Sequence, residues 1–413
     1  MLLNRLFIAM FLIGFSVAFG KLVFFQDYDI LKSIVDALFD AAKSGFELSI
    51  YLTGALCLWM GFLEVGEKGG AINALSKAVS PLFSKLFPEI PKNHKSLGTM
   101  MMNFSANMLG LDNAATPIGL KAMKELQELN PEKERASNAQ IMFLVLNTSG
   151  LTIIPVSILA YRSAEGSISP SSVFLPILIT TFISSFIGLI FVSLKQKINL
   201  FNKTILLYIG SMVVLIASLL AYIIYHPEHT EVISKVGGNG LLILIITAFF
   251  LLALRKKVNI YEVFVQGAKG GFDVAIKIIP FLVAILAAVA VFRASGALDA
   301  LLEGIRYICI GAGLIHTEFI DALPVAFMKP FSGSGARGLM IEIFQNPSFG
   351  PDSFVGNLAS TFQGSTETTF YVLAVYFGSV GIKNTRYAAG AGLIADLAGI
   401  IAAIFISYLF YSI

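Results

Sequence analysis

Seven stretches of this chain stay apolar for long enough to cross a bilayer, and that feature removes most folds from consideration. The runs at 6–25, 46–66, 173–194, 204–225, 238–254, 272–292 and 388–411 approach or exceed the roughly 20 helical residues that span a hydrocarbon core of about 30 Å. In lipid every backbone N–H and C=O must be paired within the segment, which helices achieve. A β-barrel would show short segments of alternating polarity instead. Composition agrees, with 56% hydrophobic and 13% charged residues, against about 25% charged in soluble domains. The fold class expected is an all-α polytopic membrane protein. The N-terminus, "MLLNRLFIAMFLIGFSVAFGK", has the basic start of a signal peptide. Its apolar part is longer than a signal core, so it reads as an uncleaved first span.

Several function classes drop out. The net charge of +3 is spread through the loops, so no nucleic-acid partner is expected. Cys57 and Cys309 sit singly in apolar surroundings and read as small core hydrophobes. His226 and His229 flank Pro227 and Glu228; such a loop can hold a metal, but it reads here as solvated. No HExxH, Ser/Lys or Cys/His nucleophile arrangement lies in a span, so the chain is not expected to be an enzyme and needs no organic cofactor.

The chain resembles itself. "KSGFELSI" at 43–50 matches "KGGFDVAI" at 269–276, and the same 226-residue offset aligns "GGAINAL" at 69–75 with "SGALDAL" at 295–301. Each half then carries a Gly/Pro-rich polar segment, "GLDNAATPIG" (110–119) and "KPFSGSGARG" (329–338). Each continues into a polar-interrupted apolar stretch, "VLNTSGLTIIPVSI" (145–158) and "TFQGSTETTFYVLAV" (361–375). Repetition in order predicts two structural repeats. About five crossings precede the second repeat's span at 272–292, so the repeats should be inverted. Most of the 29 Lys and Arg fall on one side of roughly nine spans, which puts the N-terminus inside and the C-terminus outside. The divisions expected are 1–200, a connecting pair of transmembrane helices at 201–258, and 259–413.

Non-helical chain at membrane depth must be buried in protein or line a watery cavity. Pro117 and its flanking glycines make 96–125 read as a re-entrant hairpin with its tip at Asn113–Thr116. Residues 318–342 are its counterpart, with "SGSGARG" at the centre, and 147–155 and 363–369 read as helices unwound in mid-membrane. Paired hairpins and broken helices in an inverted repeat are the recurrent architecture of secondary transporters, with solute and ion held at the midplane. Candidate site residues are Asn113, Thr116, Asn147, Ser149 and Thr152 from the first repeat. From the second they are Ser332, Ser334, Arg337, Gln363, Ser365, Thr366, Glu367 and Thr368, with Thr369 beside them. Neutral oxygens around Asn113, Asn147 and Ser149 suit Na⁺, whereas H⁺ coupling would need a group such as Glu367. Any one Ser or Thr can equally serve to join helices. Glu367 with Arg337 can be a structural ion pair or part of the site, and Asp112, Glu318, Asp321 and Asp396 are weaker candidates.

"NMLGLDNAATPIGLKAMKELQELNP" (107–131) resembles the signature of spore maturation protein A. "LPVAFMKPFSGSGARG" (323–338) and "GSTETTFYVLAVYFGSVGIKNTRYA" (364–388) resemble spore maturation protein B. Residues 1 to about 197 and about 259 to 413 together look like a fusion of the two. Both are related to the nucleoside-recognition "gate" group, shared with concentrative nucleoside transporters and the ferrous-iron transporter gate. The resemblance implies a bacterial inner-membrane protein, and in spore formers a link to dehydration of the spore core. It implies solute binding between hairpins and broken helices, in zones 112–117, 147–152, 332–337 and 363–369, with Na⁺ or H⁺ coupling. The expected partners are a small polar solute, nucleoside-like or anionic, and the lipid bilayer; self-association as a homo-oligomer stays open. The alternative is a non-transporting membrane scaffold or assembly protein.

Overall fold

The computed structural model describes residues 2–91 and 94–411. The side chains of Leu2, Leu3, Asn4, Leu6, Asp112, Asn113, Ala114, Glu231, Lys235 and Phe281 lie outside the description. Helices run in the order α1 (Leu2–Phe25), α2 (Ile30–Gly69), α3 (Ala71–Leu86), α4 (Lys95–Met108), α5 (Asp112–Leu129), α6 (Asn138–Ser149), α7 (Val156–Ala164) and α8 (Phe174–Gln196). After α9 (Lys203–Tyr225) the same succession begins again. It comprises α10 (Thr230–Arg255), α11 (Ile260–Ala294), α12 (Ala297–Gly311), α13 (Leu323–Met328), α14 (Gly333–Gln345), α15 (Phe354–Ser365), α16 (Thr369–Gly378) and α17 (Ala388–Phe410). Long helix follows long helix, then a surface-length helix, a short pair, a broken pair and a closing helix of 23 residues, α8 or α17. Only α9 has no counterpart in that order among the described residues.

Among the described residues seven helices are long and apolar enough to span a membrane: α1, α2, α8, α9, α10, α11 and α17. Each holds one of the seven apolar runs. No named strand occurs among the described residues, where pairing is limited to an isolated bridge, Arg135 with Asn384. The fold is therefore a multi-pass helical membrane protein.

By its contacts the chain divides into two compact units. The first comprises residues 1–59, 157–170 and 268–363. In it α2 and α11 pack antiparallel. A Cβ built on Gly45 would stand 3.0–3.2 Å from Val283, and one on Gly271 would stand 2.7 Å from backbone atoms of Cys57 and Leu56. Glycine permits that approach because it has no Cβ. The numbers carry a symmetry: 45 and 271 differ by 226, and so do 57 and 283, so each helix offers the same glycine to the same position of the other. Ala18, Ile30, Ile34 and Val291 close the apolar core beside this crossing.

The second unit comprises residues 60–156, 171–267 and 364–413. Its core joins α3, α4 and α5 to α6, α8, α16 and α17 through residues such as Phe83, Met100, Met123, Phe143, Val192, Phe377 and Ala391. The turn between α4 and α5 is closed by Leu111 N–H to Ala106 O at 2.9 Å and Gly110 N–H to Asn107 O at 3.0 Å. Gly110 is left-handed at φ +72°. These are the two bonds of a Schellman cap, which turns the chain sharply at a glycine. The turn thus falls at 109–111, and Asn113–Thr116 lie within α5 rather than at a tip. The reason is local: Gly110 supplies the left-handed residue, while Pro117 removes one donor without ending the helix.

Candidate functional site

Helix α6 starts on a full capping box between Ser137 and Gln140 and ends where Gly150 turns left-handed at φ +46°. From Gly150 to Pro155 the chain is non-helical, until α7 begins at Val156. Six residues at this point have no intrahelical ladder, so their polar groups need other partners. They find them in the second unit. Ile153 N–H donates to Met108 O at 2.8 Å, at the C-terminal end of α4, and Thr152 N–H donates to Thr181 Oγ1 at 3.4 Å on α8.

The second break is shorter. α15 ends at Ser365 and α16 begins at Thr369, so Thr366, Glu367 and Thr368 are the unwound residues. Glu367 N–H donates to Thr148 O at 2.8 Å. The last turn of α6 thereby finds a donor in the other repeat's break. Gly150 has to be small here, since a Cβ would meet Glu367 Cγ at 3.0 Å. Thr366 and Thr368 are buried, whereas the Glu367 side chain between them is exposed. Three adjacent polar side chains in an apolar chain are thus sorted: two inward as packing, one outward as a charge.

Each half-helix carries an amide one turn or less from its break, and each amide reaches its own repeat's short helix pair. In the second unit Asn147 Oδ1 accepts from Asn107 Nδ2 at 2.8 Å, while Asn147 Nδ2 donates to Phe143 O at 2.8 Å. In the first unit Gln363 Nε2 donates to Gly333 O at 3.3 Å. Asn147 and Gln363 hold equivalent places, both two residues before the last residue of α6 or α15. Gln363 Oε1 is buried with no protein donor among the described residues, so it can accept from a ligand or bind a cation.

The remaining candidates sort as follows. Ser149 and Thr148 donate to Val145 O at 2.9 and 3.1 Å, and Thr152 Oγ1 donates to Gly150 O at 2.9 Å. A hydroxyl whose proton is so used keeps lone pairs for a cation or a donor. Ser332 caps α14 by accepting from Gly335 N–H at 2.9 Å and lies 3.3 Å from Ser334 Oγ. This places "GSGARG" inside α14 and the turn at 329–332. Arg337, half-buried on α14, lies over the Tyr161 ring at 5.3 Å from its centroid, a cation–π contact. Ser365 is buried and Thr116 is half-buried on α5. The side chain of Asn113 lies outside the described residues.

Two features carry more weight than the sequence suggests. Asp396 on α17 is 2% exposed and accepts from Thr369 Oγ1 at 2.7 Å, directly after the second break. Arg162 at the end of α7 is fully buried. It donates to Pro351 O at 2.6 Å, Asp352 Oδ1 at 2.9 Å, Pro170 O and Ser360 Oγ at 3.2 Å, and reaches Ser167 and Ser169. The sequence shows Arg162 as one loop cation among many, because three of its acceptors, Pro351 O, Asp352 Oδ1 and Ser360 Oγ, lie 189 to 198 positions away. Asn103 and Asn107 give a legible signal, two amides four residues apart on an apolar helix.

A family model described as nucleoside recognition, the Gate domain, matches residues 49–165. Spore maturation protein B of Bacillus subtilis (strain 168) is 44% identical over 168 residues, covering 41% of this chain and 91% of that protein. Spore maturation protein A of the same organism is 37% identical over 173 residues, covering 42% of this chain and 88% of that protein. Two full-length relatives each matching under half of one chain is the pattern of a fusion. The chain belongs to the spore maturation protein A and B family and carries its Gate nucleoside-recognition domain.

Proposed function

We propose that this protein is a secondary, ion-coupled transporter of a small polar solute, nucleoside-like or anionic, in the bacterial cytoplasmic membrane. Its N-terminus lies inside, its C-terminus outside, and its two repeats are inverted. The observation that carries this reading is the meeting of the two breaks, where Glu367 N–H holds Thr148 O and the Glu367 carboxylate stays exposed among buried hydroxyls. An ionisable group at a helix break in a membrane protein marks a solute or ion path. Glu367 in the second unit and Arg337 in the first are each candidates to act on solute charge. Asn147, Ser149 and Thr152 offer the neutral oxygens that suit Na⁺; Asn113 belongs to the same expectation, with its side chain outside the described residues.

The names of the two relatives favour a second reading, a membrane scaffold or assembly protein with a spore-maturation role. Uptake into proteoliposomes separates the two. Purified full-length protein would be given a panel of nucleosides and small anions under Na⁺ and proton gradients. Saturable, gradient-dependent uptake that Glu367→Gln abolishes supports transport; no uptake and no binding with any solute overturns it in favour of the scaffold.

A further inference from the structure

Away from the breaks, one grouping of metal-ligating side chains stands out among the described residues. His226, Glu228 and His229 place their ligand atoms within 4.8 Å of one another, and all three are exposed. They occupy the connection from α9 to α10, where Pro227–His229 form a single 3-10 turn, closed by His229 N–H to His226 O at 3.0 Å. At three residues per turn, positions i and i+3 eclipse. The two imidazoles therefore stand side by side, with centroids 5.6 Å apart and planes 20° from parallel. Two like imidazoles stacked in water gain little from each other, and they would repel once protonated. Brought to one side of a tight turn with a carboxylate between them, they make a set of nitrogen and oxygen donors.

Tyr222, one turn before His226 on α9, packs against both imidazoles. Its hydroxyl lies 2.8 Å from His229 Nδ1, and its ring lies 4.8 Å from that of His226 and 5.9 Å from that of His229. With Nδ1–H donating to that hydroxyl oxygen, Nε2 keeps its lone pair for a metal, which is how metal-bound histidines are commonly oriented.

We infer that His226, His229 and Glu228 form a site for a divalent transition cation of the Zn²⁺ class, with water completing its coordination. Imidazole with carboxylate suits Zn²⁺, Co²⁺, Ni²⁺ and Cu²⁺, and gives no hold on Mg²⁺. The bound cation ties the end of α9 to the start of α10. The folded turn holds the three donors within 4.8 Å, so the cation stabilises the fold by as much as it binds that turn more tightly than the same four residues unfolded.

The test uses the full chain in detergent, freed of any histidine tag, titrated with Zn²⁺ by calorimetry and by thermal melting, with Mg²⁺ as the control. Saturable binding of one Zn²⁺ per chain is expected, with a raised melting midpoint, and Co²⁺ should give the visible absorption of a tetrahedral site. Tyr222→Phe should weaken Zn²⁺ about tenfold, as loss of a group that orients a ligating histidine does. The double variant His226→Ala with His229→Ala should lose the site while keeping its metal-free midpoint, since both side chains are exposed; if it does not fold, Glu228→Gln replaces it and should weaken binding. Zn²⁺ binding that survives these changes, or no saturable binding in the native chain, overturns the site. Neither outcome bears on transport through the breaks.

Discussion

The backbone N–H of Glu367 donates to the carbonyl of Thr148 at 2.8 Å, so the break in one repeat closes the helix end left open by the break in the other. A helix that stops in mid-membrane exposes acceptors that lipid cannot satisfy. Here a main-chain donor meets one of them, which leaves the Glu367 side chain without a structural task at that point. The two roles can be separated. Glu367→Gln keeps the N–H and should leave the melting midpoint unchanged while abolishing or shifting solute uptake. Glu367→Pro removes the donor and should cost about 1–3 kcal/mol, read by thermal melting in detergent. Equal midpoints for the two variants would show that the bond carries no load.

Replacing Arg162 should be among the most damaging single changes in the chain. Its guanidinium is fully buried and bonded to carbonyls on both sides of its unit's sequence. Arg162→Met removes the cation paired with Asp352, which keeps Ser167 Oγ and Ile168 N–H, and strips the Pro351 and Pro170 carbonyls of this donor, at about 3–5 kcal/mol. Arg162→Lys should recover little, because a point ammonium cannot reproduce a planar fork of donors. Yield of folded protein by fluorescence size-exclusion checks both; a lysine variant of native yield would refute the fork argument.

Glycines in the same unit should divide by contact. Gly271→Leu must push α2 and α11 apart, an overpacking cost of about 1–3 kcal/mol. Gly304→Ala on α12 meets nothing within 4 Å and should stabilise by about 0.4–1 kcal/mol through the unfolded chain. Melting midpoints that move the same way in both variants would contradict the close crossing.

Glu165, just past the C-terminal end of α7, has its carboxyl pushed above the ordinary range by burial, against the opposing pull of a bond from Gln345. A carboxyl raised on folding is better tolerated protonated, so its contribution is fully present at acid pH and is lost as pH rises through the folded value. Glu165→Gln should therefore be more stable than the native chain at neutral pH, and the gap should close on acidification. A gap independent of pH would assign the effect to packing instead.

Sidedness follows from the Lys/Arg asymmetry. In a chain lacking Cys57 and Cys309, a cysteine at Glu228 should label from outside intact cells and one at Lys133 should not. The reverse pattern would invert the proposed topology.

Much of this architecture was legible because lipid imposes a simple rule: each of the seven apolar runs lies in a continuous helix long enough to span, and the polar-interrupted stretches contain the two breaks. The exact turns were less legible. "GLDNAATPIG" advertises a tip at its polar centre, but the chain reverses at Gly110, where the left-handed φ is cheap, and the polar residues start the next helix. The same displacement moves "SGSGARG" into α14 behind its Ser332 cap. Arg162 was hidden, and Asp396 ranked among the weaker candidates, for another reason. A charge read from sequence shows its cost but not its partners, and those of Arg162 include Pro351 O, 189 positions away.

In the proposed topology the unmatched helix α9 sets the sense in which the second half enters the bilayer. With each broken pair counted as one crossing in that topology, α1, α2, α6–α7 and α8 would traverse the membrane four times, and so would α10, α11, α15–α16 and α17. Four is even, so two such sets joined end to end would enter the bilayer in the same sense. The reciprocal contact of Gly45 with Val283 and Gly271 with Cys57 requires α2 and α11 to run oppositely. Separate polypeptides can meet that requirement by inserting in opposite senses; a single polypeptide cannot, unless its parity is changed. On this count α9 is a parity adaptor, and a chain shortened by that one helix would have every other residue in place and still be unable to bring its two glycines together.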